Sequence, residues 1–271
     1  MTGLGAGERA AALEVALQAA RDAGAVLMEH FGHLTASQIG AKDVARDLVT
    51  AADLASERLI VSRLRARFPA HEIEAEEEVR DAARGGARWF LDPLDGTINF
   101  VHGLPAFAVS LGLYADGVPE VGVVHAPRLG ETFWAARGGG AFLDGKRLAV
   151  SRASTLGEAI VATGFPYKRN ELRAQGRADN LENFGRVYYE VRGLRRTGSA
   201  AIDLAYVAAG RFDGYWELYL SPHDVAAGAL LVLEAGGEVS DFAGGSDWLR
   251  GQNLVAGGPA VAALLRERVR R

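Results

Sequence analysis

Asp92 and Asp95 lie three positions apart in WFLDPLDGTINF, residues 89–100, and their types and spacing could do chemistry. Trp89, Phe90 and Leu91 read as a short buried strand that stops abruptly at Asp92. The ends of strands are where layered folds tend to build sites. Two clustered carboxylates with no cysteine or histidine ligand beside them suit a hard divalent cation, Mg²⁺ or Mn²⁺. The Leu94 carbonyl is a candidate further oxygen ligand, and Pro93 restrains the loop. Asp95 leads through Gly96 and Thr97 into a helix predicted from about Ile98. Backbone N–H groups at a helix start attract anions, and glycine lets a phosphate approach closely. A cation beside such a helix start points to phosphoryl chemistry, because it can neutralise phosphate charge, generate hydroxide and stabilise a leaving oxygen. The competing reading is a plain turn, for which Asp, Pro and Gly are ordinary residues.

A metal site needs more oxygens than these. The acidic run EAEEE supplies Glu76, Glu77 and Glu78, and its competing reading is a solvated loop. Asp224 opens a strongly apolar helix in SPHDVAAGALLVLEAGG, where a simple N-cap would account for it.

The elements that must position these groups follow from periodicity. Residues 8–32 read as an amphipathic helix ending at Gly32, followed by a polar extended stretch or hairpin to Leu48. A second helix is predicted over 50–68, opened by a Thr-x-x-Asp capping box, with Pro69 past its end. From 106 to 150, apolar segments alternate with the turn signals ADG, APRLG and RGGG, which predicts an antiparallel meander. The second half alternates strand and helix: strands near 159–163, 191–195, 212–216, 237–240 and 254–256, and helices over 170–186, 199–209, 224–235 and from Pro259. Two intimately packed parts are expected. Residues 1–150 form an α+β part with an antiparallel sheet and most of the metal ligands, and 151–271 an α/β part that completes the site.

Composition bounds the partners. The 271 residues are 49% hydrophobic and 24% charged, which predicts an ordinary folded protein rather than a disordered chain. A net charge of -4 argues against a dedicated nucleic-acid binder. There is no cysteine, which excludes disulfides and thiolate zinc sites and makes a reducing cytoplasm the expected location. The first thirty residues lack the pattern of a signal peptide, and no apolar run is long enough to span a bilayer. The histidines at 30, 33, 71, 102 and 125 show no metal spacing, and RGGGAF, 137–142, reads as a hairpin turn rather than a nucleotide-binding loop.

Together these pieces resemble the inositol monophosphatase family of metal-dependent sugar phosphatases. WFLDPLDGTINFVHGLP is similar to the family's W-x-x-D-P-[IL]-D-G-T-x-N-F signature, IEAEEE to its G-E-E motif, and YWELYLSPHDVAAG to its W-D-x-A-A-G motif with the preceding glutamate. KDVARDLVTAAD, 42–53, and RRTGSAAIDLAYVAAGRFDGY, 195–215, support the likeness, which spans roughly 42–237. The resemblance implies a layered α/β/α/β/α sandwich of the inositol monophosphatase and fructose-1,6-bisphosphatase type. It implies that Glu76, Asp92, the Leu94 carbonyl, Asp95 and Asp224 ligate Mg²⁺, roughly two to three ions per site, with Mn²⁺ as a substitute. Glu77 would be a supporting acid. Gly96 and Thr97 would bind phosphate through backbone N–H groups, and Thr97 with Glu76 would orient the attacking water, Asp53 holding the threonine hydroxyl. Gly198, Ser199, Ala200 and Glu217 would meet the alcohol portion of the substrate, alongside Asp95 and Asp224. Lys42 would lie on a mobile loop near a metal.

The sequence departs from the family pattern at three places. Ala75 stands for the usual glycine of G-E-E and would be strained if that turn needs a positive φ. Glu78 replaces a serine or threonine and would add negative charge near the cations. His223 replaces the tryptophan before the final aspartate, as a packing residue or as a protonatable group near the metals. The expected activity is Mg²⁺-dependent phosphate monoester hydrolysis, with inositol 1-phosphate first. Histidinol phosphate, fructose 1,6-bisphosphate, NADP and 3′-phosphorylated nucleotides are the alternatives, which the variable 164–184 stretch and 217–223 would discriminate. Its Lys168, Arg169 and Arg173 read first as a solvated helix face and second as a site for another phosphate. A regulatory protein associated with RNA or transcription, with the basic terminal LLRERVRR as its contact, is the reading from another class. A homodimer, lithium sensitivity and a small phosphorylated polyol or sugar as partner are expectations of the resemblance alone.

Overall fold

The computed structural model describes residues 3–270. In chain order it contains α1 (Ala6–His30), the hairpin strands β1 (Ile39–Ala41) and β2 (Leu48–Thr50), α2 (Ala51–Arg67), β3 (Glu72–Ala75), β4 (Ala87–Asp95) and the short α3 (Thr97–Val101). The meander follows as β5 (Ala108–Ala115), β6 (Val118–Ala126), β7 (Glu131–Ala136), β8 (Gly140–Leu143) and β9 (Lys146–Arg147). Then come β10 (Ile160–Thr163), α4 (Arg169–Ala174), α5 (Leu181–Tyr188), β11 (Gly193–Arg195), α6 (Ala200–Ala208), β12 (Gly214–Leu218), α7 (Pro222–Glu234), β13 (Glu238–Ser240), β14 (Asn253–Gly257) and α8 (Pro259–Arg268).

Two sheets organise the molecule. The first has seven strands in the order β3-β4-β5-β6-β7-β8-β9, antiparallel except for the parallel β3–β4 pair. The second has five in the order β11-β10-β12-β14-β13, with β10 parallel to both neighbours. Side chains alternate across β4 as the pleat requires. Trp89 and Leu91 join the core formed with α1 and α2 on one face of the first sheet, and Phe90 joins the core formed with α6 and α7 on the other. That second core also takes Tyr215, Leu254 and Ala256 from the five-stranded sheet, so α6 and α7 are sandwiched between the sheets. Helix α8 covers the far face of the second sheet. The order of layers is α/β/α/β/α, as expected from the resemblance.

Helix α7 sits unusually close to the first sheet, and glycine is the reason. A Cβ on Gly112 would lie 2.6 Å from the Ala226 Cβ, and one on Gly122 would lie 2.7 Å from the Ala227 carbonyl oxygen. The small residues that follow Asp224 meet two bare positions of the sheet, and this close approach brings the helix start to the end of β4.

Three expectations need correction. The strand begun by Trp89 does not stop at Leu91. It runs to Asp95, with an irregular register between Asp92 and Asp95 against β5. The predicted helix over 170–186 is two short helices, α4 and α5, separated by a segment in which Asn180 takes the left-handed conformation (φ 74°). Buried Asn180 donates to the Gly164 carbonyl (2.6 Å) and accepts from the Trp216 indole (2.9 Å), so tertiary bonds override helical continuation. Helix α7 begins at Pro222, so Asp224 is not its N-cap. Ser221 is the N-cap, and Asp224 Oδ2 accepts the Ser221 N–H at 2.5 Å from the third helical position.

Candidate active site

Helix α2 builds one wall of the site with three buried polar residues on one face, Asp53, Ser56 and Glu57. Asp53 Oδ2 accepts from the Thr50 backbone and hydroxyl (2.9 and 2.6 Å), which caps the helix, while its Oδ1 lies 3.3 Å from the Thr97 hydroxyl. The Ser56 hydroxyl donates to the Pro93 carbonyl (2.8 Å) and so holds the irregular end of β4. Glu57 accepts the backbone N–H groups of Glu77, Glu78 and Val79 (2.9, 2.8 and 2.9 Å) and fixes the acidic run against the helix. The acidic run is therefore not a free solvated loop. Ser56 and Glu57 were not anticipated. Their signal was polar residues on the same face as Ile60, Val61 and Leu64, where only apolar ones are expected.

The end of β4 brings the carboxylates inward. Asp92 is buried, and its Oδ1 accepts the Leu94 N–H (2.9 Å). Asp95 Oδ2 accepts from the Ser199 hydroxyl (2.5 Å) and the Ala201 N–H (2.7 Å), tying β4 to the start of α6. The Leu94 carbonyl lies 3.1 Å from the Thr97 hydroxyl. Gly96 adopts φ +91°, and a Cβ there would lie 2.8 Å from the Ala106 carbonyl. Glycine is thus required by the chain's own backbone, independently of any ligand. Asn99, in the same motif, donates to the carbonyls of Ala106 (2.6 Å) and Thr197 (2.9 Å) and fastens the Gly198 turn beside it.

A cleft of about 440 Å³ opens between the sheets, with Glu76, Asp95, Ser199, Glu217, His223 and Asp224 among its walls. Gly198 and Ala200 also line it, while Asp53, Asp92 and Thr97 are buried next to that wall. The Lys42 ammonium, from the β1–β2 hairpin, bridges Glu76 (2.7 Å) and Glu77 (2.5 Å). Every predicted site residue is therefore drawn to one region.

The departures now have locations. Ala75 is buried at the end of β3, paired with Leu91, and is not among the residues of positive φ, so it carries no strain. Glu78 does not add its charge to the cluster, because it is exposed and paired with Arg58 (2.8 Å). His223 lines the cleft with Nε2 3.8 Å from Asp224 Oδ1.

The electrostatics are those of crowded acids. Burial first, then Glu76, Asp95 and Asp224, push Asp92 well above the usual carboxylate range. Burial, with Asp224 and Glu76 adding to it, brings Asp95 to about 7. Burial raises Asp53 to about 6 and Glu217 to about 8, and burial with the Glu76 charge raises Glu77 to about 7. Burial also acts to raise Glu76, but nearby His223 and Lys42 outweigh it and hold that carboxyl low. Among the described residues Asp53, Asp92 and Asp95 have no cationic partner within 4.0 Å, and no three acidic or histidine side chains are gathered closely enough to enclose an ion as placed. Ser199, Ala201 and Ser221 hold one oxygen each of Asp95 and Asp224, and Lys42 holds Glu76 and Glu77. The donors are all oxygen and strongly anionic, a set that fits a hard divalent cation and no soft one.

A model of the inositol monophosphatase family matches residues 8–271. The chain belongs to the inositol monophosphatase family. Among family relatives, Nus factor SuhB of Pseudomonas aeruginosa is 45% identical over 252 residues, covering 90% of each chain. Inositol-1-monophosphatase of Rhizobium meliloti is 42% identical over 264 residues, covering 97% of each. The crystal structure of extragenic suppressor protein suhB from Bartonella henselae superposes with a TM-score of 0.88 at 41% identity, over 95% of this chain and 98% of that one. Family membership and the layered fold agree. Among the described residues no helix is long and apolar enough to cross a membrane.

Proposed function

We propose that the protein is a Mg²⁺-dependent phosphate monoester hydrolase whose first candidate substrate is inositol 1-phosphate. One observation carries the reading: Glu76, Asp95 and Asp224 line one cleft from three separate segments, with Asp92 and the Thr97–Asp53 pair buried beside them. The four carboxylates of Glu76, Asp92, Asp95 and Asp224 and the Leu94 carbonyl would hold the metal. When bound, Mg²⁺ would neutralise phosphate charge, lower the pKa of the attacking water and stabilise the departing alkoxide.

The chain's own groups do the positioning. The Gly96 and Thr97 N–H groups receive phosphate oxygens. The Thr97 hydroxyl, oriented by Asp53, and the Glu76 carboxylate align a water with phosphorus, and Glu76 accepts its proton. The water oxygen bonds to phosphorus as the ester P–O bond breaks in line, and the alcohol leaves protonated from solvent. Glu217, at about 8, is largely protonated near neutral pH and donates to a hydroxyl of the alcohol, with the backbone of Gly198, Ser199 and Ala200 alongside. Preorganised charge rather than covalent chemistry supplies the acceleration.

The test is phosphate release with Mg²⁺ from inositol 1-phosphate, histidinol phosphate, fructose 1,6-bisphosphate, NADP and 3′-phosphoadenosine 5′-phosphate. One substrate far ahead in kcat/KM is expected, and Asp95→Asn is expected to lose activity by about 10²-fold or more. An Asp95→Asn enzyme with normal turnover would refute the metal assignment. The name Nus factor SuhB supports a second reading, a role in RNA or transcription machinery on the same fold. Its simplest contact, the basic end of α8, is largely engaged within the fold: Arg266 pairs with Glu238, and Arg268 with Glu190 and Glu267. Absence of turnover with both Mg²⁺ and Mn²⁺ would bring that reading forward. A homodimer belongs to the same proposal, and sedimentation at twice the 28.7 kDa chain mass would support it.

A further inference from the structure

Among the described residues, the non-glycine positions with left-handed backbone are Asp116, Asp144, Asn180, Tyr219 and Gln252. Aspartate and asparagine enter that region readily, whereas a bulky aromatic residue does so against steric resistance from its own Cβ. Tyr219 (φ 64°) is the aromatic residue of the group, and it stands between two parts of the site. It lies between the end of β12, which carries Glu217, and the start of α7, which carries His223 and Asp224. The last pair of the β12–β14 ladder is Leu218 with Asn253. Beyond it the Tyr219 N–H donates to the carbonyl of Gln252, itself left-handed (φ 60°), which fixes the turn. The turn itself needs no side chain, and glycine would take the same φ freely.

The side chain gives a reason for the residue. Tyr219 lines the acidic cleft together with Arg177, Glu217, Leu220 and His223. Its hydroxyl donates to the Ala178 carbonyl (3.0 Å), and the Arg177 guanidinium lies over its ring, 5.3 Å from the centroid. Arg177 and Ala178 belong to the segment between α4 and α5. The ring therefore reaches from the link beside Glu217 to that segment and ties two walls of the cleft together. Gly164 makes the opposite provision. A Cβ there would collide with both carboxylate oxygens of Glu217, so this position must stay bare. The alcohol end of the cleft thus has one position kept empty and another filled by a tyrosine despite backbone strain, a combination expected at functional sites.

We propose that Tyr219 is a specificity-determining residue that closes the alcohol end of the cleft, so that monophosphates of compact single-ring or open-chain polyols are favoured over nucleotides. This rests on the phosphatase reading above and gives it a substrate class. Tyr219 takes no part in breaking the P–O bond. Its ring limits the volume beside Glu217, and the bond to Ala178 and the Arg177 stack keep the ring in place.

The test measures kcat/KM with Mg²⁺ for inositol 1-phosphate and adenosine 3′-monophosphate, which carry a single phosphate each and differ in the size of the alcohol. The proteins are the wild type, Tyr219→Phe, Tyr219→Ala and Tyr219→Gly. The wild type is expected to favour inositol 1-phosphate, and Tyr219→Gly to narrow that preference by about tenfold or more, the scale on which a pocket discriminates by size. The narrowing should come from the nucleotide, through KM rather than kcat, and Tyr219→Phe, which keeps the ring, should retain most of the preference. Thermal unfolding checks the backbone independently. Tyr219→Gly should melt above Tyr219→Ala, because glycine takes this φ without strain, and the reverse order removes the strain on which the proposal stands. A purely structural tyrosine would affect the two esters alike, so an unchanged ratio in Tyr219→Gly overturns the proposal and leaves the phosphatase reading standing. So does a wild type that favours the nucleotide. If the wild type hydrolyses neither ester, the phosphatase reading has failed, and calorimetric titration with the same two ligands reads the wall directly. A gain in affinity for the nucleotide alone in Tyr219→Gly supports it, and equal changes or no binding refute it.

Discussion

Glu57 shows how much a single residue outside the reacting centre can carry. Its carboxylate accepts three successive N–H groups of the acidic segment, and thereby aims Glu76 and Glu77. Glu57→Gln keeps the size but removes the charge and one acceptor oxygen. Charge-assisted hydrogen bonds contribute about 1.5–3 kcal/mol each, so thermal unfolding should show a loss of at least that order, and the Mg²⁺ concentration for half-maximal activity should rise. An unchanged metal requirement would mean that the segment is aimed by something else. Lys42 makes the opposite point. Burial disfavours its charge, yet Glu76 and Glu77 hold its ammonium above the usual range. Lys42→Met should lower the melting temperature in chelator and enlarge the rise produced by Mg²⁺, because the lysine and a cation compete for Glu76. Equal Mg²⁺-induced rises in the two proteins would argue against that competition.

At the scale of elements, the approach of α7 to the first sheet sets the position of Asp224. The contact depends on Gly112 and Gly122 as much as on Ala226 and Ala227. Gly122→Ala places a Cβ against the backbone of Ala227, so the helix must move or the strand must bend. Overpacking of this kind costs about 1–3 kcal/mol. Activity should fall further than stability alone predicts, since Asp224 rides on the displaced helix start. Measured kcat with Mg²⁺ at a temperature where the variant remains folded distinguishes the two effects, and a normal kcat would detach Asp224 from this packing.

For the whole molecule, the accumulated carboxylates couple stability to pH. Asp53, Asp95, Glu77 and Glu217 all have folded-state pKa values raised to between about 6 and about 8. Each is more readily protonated folded than unfolded. Its contribution to stability is present at low pH and is lost as pH rises through the folded value. In chelator, the melting temperature should therefore fall between pH 6 and pH 8.5. Mg²⁺ binds the ionised forms and must displace protons at the lower pH. Its stabilisation should accordingly be larger at pH 8.5 than at pH 6, measured by calorimetry at fixed Mg²⁺. A melting temperature insensitive to Mg²⁺ at both values would count against the cluster as a cation site.

The sequence by itself determined the local chemistry and most of the elements. The α1 and α2 helices, the capping box from Thr50 to Asp53 and the meander were legible because each is written in residues near one another in the chain. Asp92 and Asp95 were legible as candidates in Asp-Pro-Leu-Asp-Gly-Thr, and Glu76 and Asp224 in the two further motifs that resemble those of the family. The tertiary structure alone decided what those residues are held by. Ser56 and Glu57 fall on the apolar face of α2, but what they hold is settled only when the end of β4 and the acidic segment are packed against them. Glu78 looks like a metal neighbour until Arg58 turns it outward. The predicted helix over 170–186 breaks because Asn180 bonds to residues distant in sequence. The physical reason is the same in each case: propensity and periodicity are properties of neighbours in sequence, whereas burial, hydrogen-bond partners and local charge depend on which distant segments share a volume.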